Sequence, residues 1–87
     1  MLEILYSEKA AKQLRKIMQG DRKSAIMIIA AIEEYAANPQ GNYDIKILKG
    51  KAGIFMRLRV GNYRIIFEED GKVMYIYEIK HRQGAYK

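Results

Sequence analysis

The stretch Ile54-Phe-Met-Arg-Leu-Arg-Val-Gly-Asn-Tyr-Arg-Ile-Ile-Phe67 decides how this chain folds. Its apolar residues fall on every second position: Ile54, Met56, Leu58 and Val60 before Gly61-Asn62, then Tyr63, Ile65 and Phe67 after it. Period two marks a half-buried strand, and Gly-Asn supplies the positive φ of a tight turn, so the spacing predicts a hairpin with these residues on its core face. A two-residue loop sets Val60 across from Tyr63 and Arg59 across from Arg64. The outer face then carries Arg57, Arg59 and Arg64, with Phe55 and Ile66 beside them. Like charges directly opposite each other destabilise a sheet, whereas an anion with several oxygens placed between two guanidinium groups turns repulsion into binding.

Outward from the hairpin, Leu2 to Tyr6 alternates and predicts a first strand. Ser7 is a good N-cap, and Ala10, Ala11, Leu14, Ile17 and Met18 recur at helical spacing, with Lys9, Lys12, Arg15 and Lys16 on the other side. Gly20 stops this helix. Asp21 caps a second helix that runs from Arg22 to about Ala37, where Asn38-Pro39 ends it. The first half of the second helix is apolar nearly all round, so it is either packed under the sheet and against its neighbour or receives a partner on its outer flank.

Residues 39–44 read as a loop, and Ile45 to Lys51 as a connection that brings Lys46, Lys49 and Lys51 close together. Asp70-Gly71 predicts a second tight turn, followed by a last strand from Lys72 to Lys80 and a short tail. The order β-α-α-β-β-β predicts an α+β fold of two layers, with two helices packed on one face of a mostly antiparallel four-stranded sheet, in one domain spanning residues 1–87. A two-residue turn at Asp70-Gly71 places Arg64 opposite Tyr77 and Ile66 opposite Tyr75. His81 continues the parity of Tyr75 and Tyr77, and Arg82 follows. The uncovered face is thus expected to collect arginine, tyrosine and histidine, a mixture suited to single-stranded nucleic acid because guanidinium groups hold phosphates and rings stack on bases.

The 16 Lys and Arg outnumber the 10 Asp and Glu, for a net charge of +6, which favours a nucleic acid or an acidic protein as partner. There is no Cys and one His. A thiolate nucleophile and a Cys-ligated metal are therefore excluded, and no cofactor is expected. The carboxylates do not cluster in the manner of a two-metal nuclease, so phosphodiester cleavage would be metal-independent and would use the 2′-OH of RNA as nucleophile. His81 has the intrinsic pKa for proton transfer, and Tyr86 is close enough in sequence to Arg82 to share an edge of the sheet with it. The longest apolar run, Ala25 to Ile32, falls short of a membrane span, and the N-terminus has no signal-peptide pattern, so a cytoplasmic protein is expected.

Leu48-Lys-Gly50, Arg57-Leu-Arg-Val-Gly-Asn-Tyr-Arg-Ile-Ile-Phe67, Ile79-Lys-His-Arg82 and Tyr86 together resemble the RelE/ParE superfamily of toxins from type II toxin–antitoxin pairs, and more closely its RelE branch. The resemblance implies a ribosome-dependent endoribonuclease that cuts mRNA through the 2′-OH and is inhibited by an acidic antitoxin. It matches Arg57 to a basic residue of the concave face, Arg64 to the arginine at the scissile phosphate, Arg82 to a second phosphate-stabilising arginine and Tyr86 to the tail aromatic. Lys46, Lys49, Lys51, Arg59 and Tyr77 complete the expected RNA-binding set. Phe55 stands where well-studied RelE members carry a further basic residue. The competing class within the superfamily is a ParE-like toxin that inhibits DNA gyrase by contact and cleaves nothing.

Overall fold

The computed structural model describes residues 1–50 and 53–82. In chain order the elements are β1 (Glu3–Tyr6), α1 (Glu8–Gly20), α2 (Arg22–Ala37), β2 (Ile45–Gly50), β3 (Gly53–Val60), β4 (Tyr63–Glu69) and β5 (Val73–His81). Both helix starts follow from side-chain caps. Ser7 Oγ accepts from Ala10 N at 2.9 Å, and Asp21 accepts from Ser24 N at 3.2 Å and Ser24 Oγ at 2.6 Å. Asp21 also closes α1, its own N–H donating to Ile17 O, so a single residue sets the corner between the helices.

The strands form one sheet in the order β1-β5-β4-β3-β2, antiparallel except for the parallel β1–β5 pair. The helices cover one face. Beneath them Leu58, Ile65, Phe67, Met74, Ile76 and Ile79 from the sheet meet Ile28, Ile32, Tyr35 and Ala36 of α2 and Ala10 of α1 in one apolar core. Tyr35 seats its ring edge-on against Phe67 at 5.0 Å. Where β1 ends, α1 takes over the bare edge of β5: Ser7 donates to Ile76 O through its backbone and to Tyr77 O through its hydroxyl, and Gln13 Oε1 accepts from Ile79 N.

The central hairpin has the expected register, with Val60↔Tyr63, Arg59↔Arg64, Leu58↔Ile65 and Arg57↔Ile66. Gly61 takes φ +57° while Asn62 does not enter the left-handed region, the backbone requirement of a type II′ turn. Three expectations are corrected. The sheet has five strands, not four, because Ile45–Gly50, expected as a connection, pairs along its whole length with β3. Its alternation lasts only from Ile45 to Ile47, and its lysines are the charges that keep an exposed sheet edge from pairing further. Ile54, expected in the core, is 60% exposed: it lies with Ile47 at an end of the sheet that the helices leave uncovered.

The third correction concerns β4 and β5. Asp70 pairs with Val73, so the turn is centred on Gly71-Lys72 rather than Asp70-Gly71. Gly71 takes the positive φ, +90°, and the Asp70 carboxylate accepts from both Lys72 N and Val73 N, which fixes Asp70 before the turn and not within it. A bulge opposite Ile66/Phe67 then adds one more residue to β5, so that Arg64 faces Lys80 and Ile66 faces Glu78, in place of Tyr77 and Tyr75. Most of the apolar surface of α2 is spent on the core, leaving Ile26 and Met27 exposed. No helix among the described residues is long and apolar enough to cross a membrane.

Candidate nucleic-acid interface

The sheet face turned away from the helices divides into two halves. Alternation along the strands places Arg59, Arg64 and Lys80 side by side across β3, β4 and β5, with Lys46 and Arg57 paired across β2 and β3 in the adjacent row. Glu78, 3.7 Å from Lys80 Nζ, offsets part of this charge, but the row of three as a whole remains cationic and its members repel one another. The other half is apolar and aromatic: Leu48 pairs with Phe55, and Phe55 meets Tyr77 edge-on at 5.2 Å while Tyr77 lies 4.6 Å from Tyr75. The Tyr77 hydroxyl donates to Glu68 Oε1 in a short hydrogen bond. That bond, followed by burial and the Glu68 charge, pushes the Tyr77 phenol up to about 12, so it remains a donor at any physiological pH.

Arg57 is largely enclosed, with 17% of its side chain exposed. Its Nη2 pairs with Asp44 Oδ1 at 3.2 Å, and Asp44 is itself held in place by its carbonyl, which accepts from Arg59 N. Arg57 Nε is buried and has no acceptor among the described residues. A buried donor left unmatched costs about 1–3 kcal/mol, which an incoming anionic oxygen would relieve if the side chain turned outward.

His81 is not on this face. The bulge at Tyr77 reverses the parity of β5, so Ile79 enters the core and His81 pairs with Tyr63 on the helix side, their rings edge-on at 4.9 Å. There it lines a groove of about 330 Å³ with Gln13, Lys16, Ile17, Gly20, Asp21, Tyr63 and Ile79. The Asp21 carboxyl lies below the usual range, held there first by the Ser24 hydrogen bonds and then by the nearby charges of His81 and Lys23. Lys49 also leaves the arginine face, because it pairs with Ile54 on the opposite side, whereas Lys46 stays. Arg82 is exposed just beyond β5, its N–H donating to Asn62 O beside the central turn. Lys51 and Tyr86 lie outside the described residues. Lys80 was missed from the sequence because its place in the row depends on the bulge; its signal was only its parity with Arg82. The described residues contain no group of three or more His, Cys, Asp or Glu side chains able to hold a metal ion.

The family model described as ParE toxin of type II toxin-antitoxin system, parDE, matches residues 4–86. The chain is 29% identical over 85 residues to Toxin RelE3 of Methanocaldococcus jannaschii, the match covering 98% of this chain and 96% of that protein. The fold is shared with the YoeB dimer from Staphylococcus aureus, at TM-score 0.77 and 20% identity over 92% of this chain and 95% of that one. It is shared also with the archaeal RelE–RelB complex from Pyrococcus horikoshii OT3, at TM-score 0.74 and 20% identity over 93% and 94%. The E. coli DinJ–YafQ complex gives a TM-score of 0.78 at 14% identity over 100% of both chains. A family match spanning nearly the whole chain, on this two-layer fold, makes the chain a member of the ParE toxin family of type II toxin–antitoxin systems, within the RelE/ParE superfamily.

Proposed function

We propose that this toxin is a metal-independent, ribosome-dependent endoribonuclease that cuts mRNA in the cytoplasm and is neutralised by an acidic antitoxin. The observation that carries the proposal is the cation row Arg59, Arg64, Lys80 on an uncovered sheet face, with Arg57 and Lys46 beside it. Such a row opposes folding and suits a polyanion. The chain has no thiol and its described residues hold no group of three or more metal-ligating side chains, so the nucleophile is assigned to the substrate. The 2′-OH attacks the adjacent phosphorus, its proton leaves to a base, and the 5′-oxygen of the next nucleotide departs taking up a proton. The products are a 2′,3′-cyclic phosphate and a 5′-OH end. Arg57 and Arg64 stabilise the charge that grows on the phosphorane oxygens, Arg82 adds a third cation from the sheet edge, and Arg59, Lys80 and Lys46 hold flanking phosphates. His81 has no part in this scheme, since it sits on the helix side of the sheet.

The RelE–RelB and DinJ–YafQ complexes, which share this fold, give the antitoxin its precedent. In this chain the charge of +6 and the exposed Ile26 and Met27 on α2 suit an acidic partner with apolar anchors. A second possibility is favoured by one observation, the match to the ParE family model: inhibition of DNA gyrase by binding. Primer extension on mRNA from translating ribosomes separates the two. Discrete cuts that vanish in Arg64→Ala support the nuclease, whereas intact message together with inhibited gyrase supports the other.

A further inference from the structure

Beyond phosphate binding, the aromatic half of the open face holds a concavity of about 370 Å³ lined by Glu68, Glu69, Asp70, Val73, Tyr75 and Tyr77. Its three carboxylates are not equivalent. Glu69 has both oxygens engaged, by Tyr35 Oη at 3.2 Å and Gly71 N at 2.9 Å, whereas Asp70 accepts from Lys72 N and Val73 N on Oδ1 alone, which fixes it at the turn beyond the tyrosine rings. Glu68 Oε1 accepts from the Tyr77 hydroxyl and keeps a second lone pair, with Oε2 beside it, so the carboxylate can still accept two parallel donors on an exposed side chain that the Tyr77 hydroxyl holds in one orientation. Around it stand the rings of Tyr75 and Tyr77, with Phe55 supporting Tyr77 edge-on.

The bowl lies beside the cationic half, since Glu68 is two positions along β4 from Ile66, the partner of Arg57. Successive side chains on one face of a strand are about 7 Å apart. A nucleotide whose phosphate rests on Arg57 therefore has its base within reach of Tyr77 and Tyr75. Stacking on the rings tolerates any base. The carboxylate does not, because it only accepts hydrogen bonds. Guanine presents two adjacent donors, N1–H and N2–H, to a single carboxylate. Adenine and cytosine each offer one amino donor beside a ring-nitrogen acceptor that repels it, and uracil offers one N–H flanked by two carbonyls.

We propose that Glu68, held by Tyr77 in a bowl walled by Tyr75, is a guanine-reading subsite that sets which nucleotide lies beside the cut. The proposal rests on the nuclease function above for its biological use, but its binding test does not need cleavage. The full chain is titrated with 5′-GMP, AMP, CMP and UMP while the tyrosine ring signals are followed by NMR. GMP binds at least tenfold more tightly than the other three and shifts Tyr75 and Tyr77. Glu68→Gln, which keeps the shape of the side chain, lowers GMP affinity about tenfold and removes the preference, with Tm unchanged. Tyr77→Phe keeps the stack but loosens Glu68 and reduces the preference severalfold. No detectable binding of any nucleotide, equal binding of all four, or a GMP preference that survives in Glu68→Gln overturns the subsite. So does a Glu68→Gln variant whose only defect is weaker binding of a basic protein segment. On translating ribosomes, cleavage by the wild type follows guanosine and cleavage by Glu68→Gln does not. Loss of all cleavage with GMP selectivity intact would count against the nuclease and leave the subsite standing.

Discussion

Replacing Ile65 and replacing Arg64 should have opposite consequences, although the two residues are neighbours in β4. Ile65 is fully buried at the centre of the sheet, between Leu58 on β3 and Ile79 on β5. Removing its side chain beyond Cβ leaves a cavity whose walls are held by two flanking strands and α2, so Ile65→Ala falls in the upper part of the usual range, about 4 kcal/mol. A domain of 87 residues has a total stability of roughly 4–13 kcal/mol. The substitution thus consumes a third of it or more, and at about 4–8 °C per kcal/mol Tm drops by about 15–30 °C. Arg64 lies between Arg59 and Lys80, and removing it relieves that repulsion while giving up the contacts its own side chain makes. Arg64→Ala should change stability by no more than about 0.5 kcal/mol while abolishing cleavage. Thermal melts by circular dichroism and cleavage assays on the same preparations compare them. If Arg64→Ala melts as low as Ile65→Ala, the two faces have been assigned the wrong way round.

Further outcomes are expected at other positions. Arg59→Ala should lower by about 0.7 the slope of log affinity for single-stranded RNA against log salt, read by filter binding, because one phosphate contact is lost. Asp44→Asn releases Arg57 from its ion pair and adds one net positive charge, so RNA affinity at low salt should rise severalfold; a fall would mean that Asp44 positions Arg57 for the phosphate. Spectrophotometric titration should find Tyr35 and Tyr77 ionising near 12, Tyr35 because of its burial and Glu69, Tyr77 because of its bond to Glu68. Since both are raised in the folded state, the stability they contribute is complete below about pH 10 and is lost as pH climbs toward 12. Glu68→Gln should bring the Tyr77 transition down toward 10.

What the sequence made legible follows from how local each signal is. The helices are bounded by Ser7, Asp21 and Asn38-Pro39, each acting within a few residues, and the structure has both helices where those signals put them. The central hairpin is equally local, since Gly61 alone can take the positive φ that fixes the Arg59–Arg64 pairing. The β4–β5 register is not. It depends on whether Asp70 enters the turn or accepts hydrogen bonds from beyond it, and on a bulge at Tyr77 beside the edge that Ser7 and Gln13 occupy from α1. Those contacts span 66 to 70 residues of sequence and leave no local trace. The error propagates to the site: a three-residue shift exchanged Tyr77 for Lys80 beside Arg64 and carried His81 to the other side of the sheet. β2 was missed because an edge strand is stabilised by its partner more than by its own pattern.

The nuclease proposal meets its most direct test in a message carrying a single 2′-deoxynucleotide at the cleavage position, presented on translating ribosomes. Attack by the substrate's own 2′-OH requires that this message stay whole while the all-ribose control is cut to a fragment ending in a 2′,3′-cyclic phosphate. A deoxy-substituted message cut at the same position and rate would contradict the mechanism, and an uncut control beside inhibited gyrase would contradict the function.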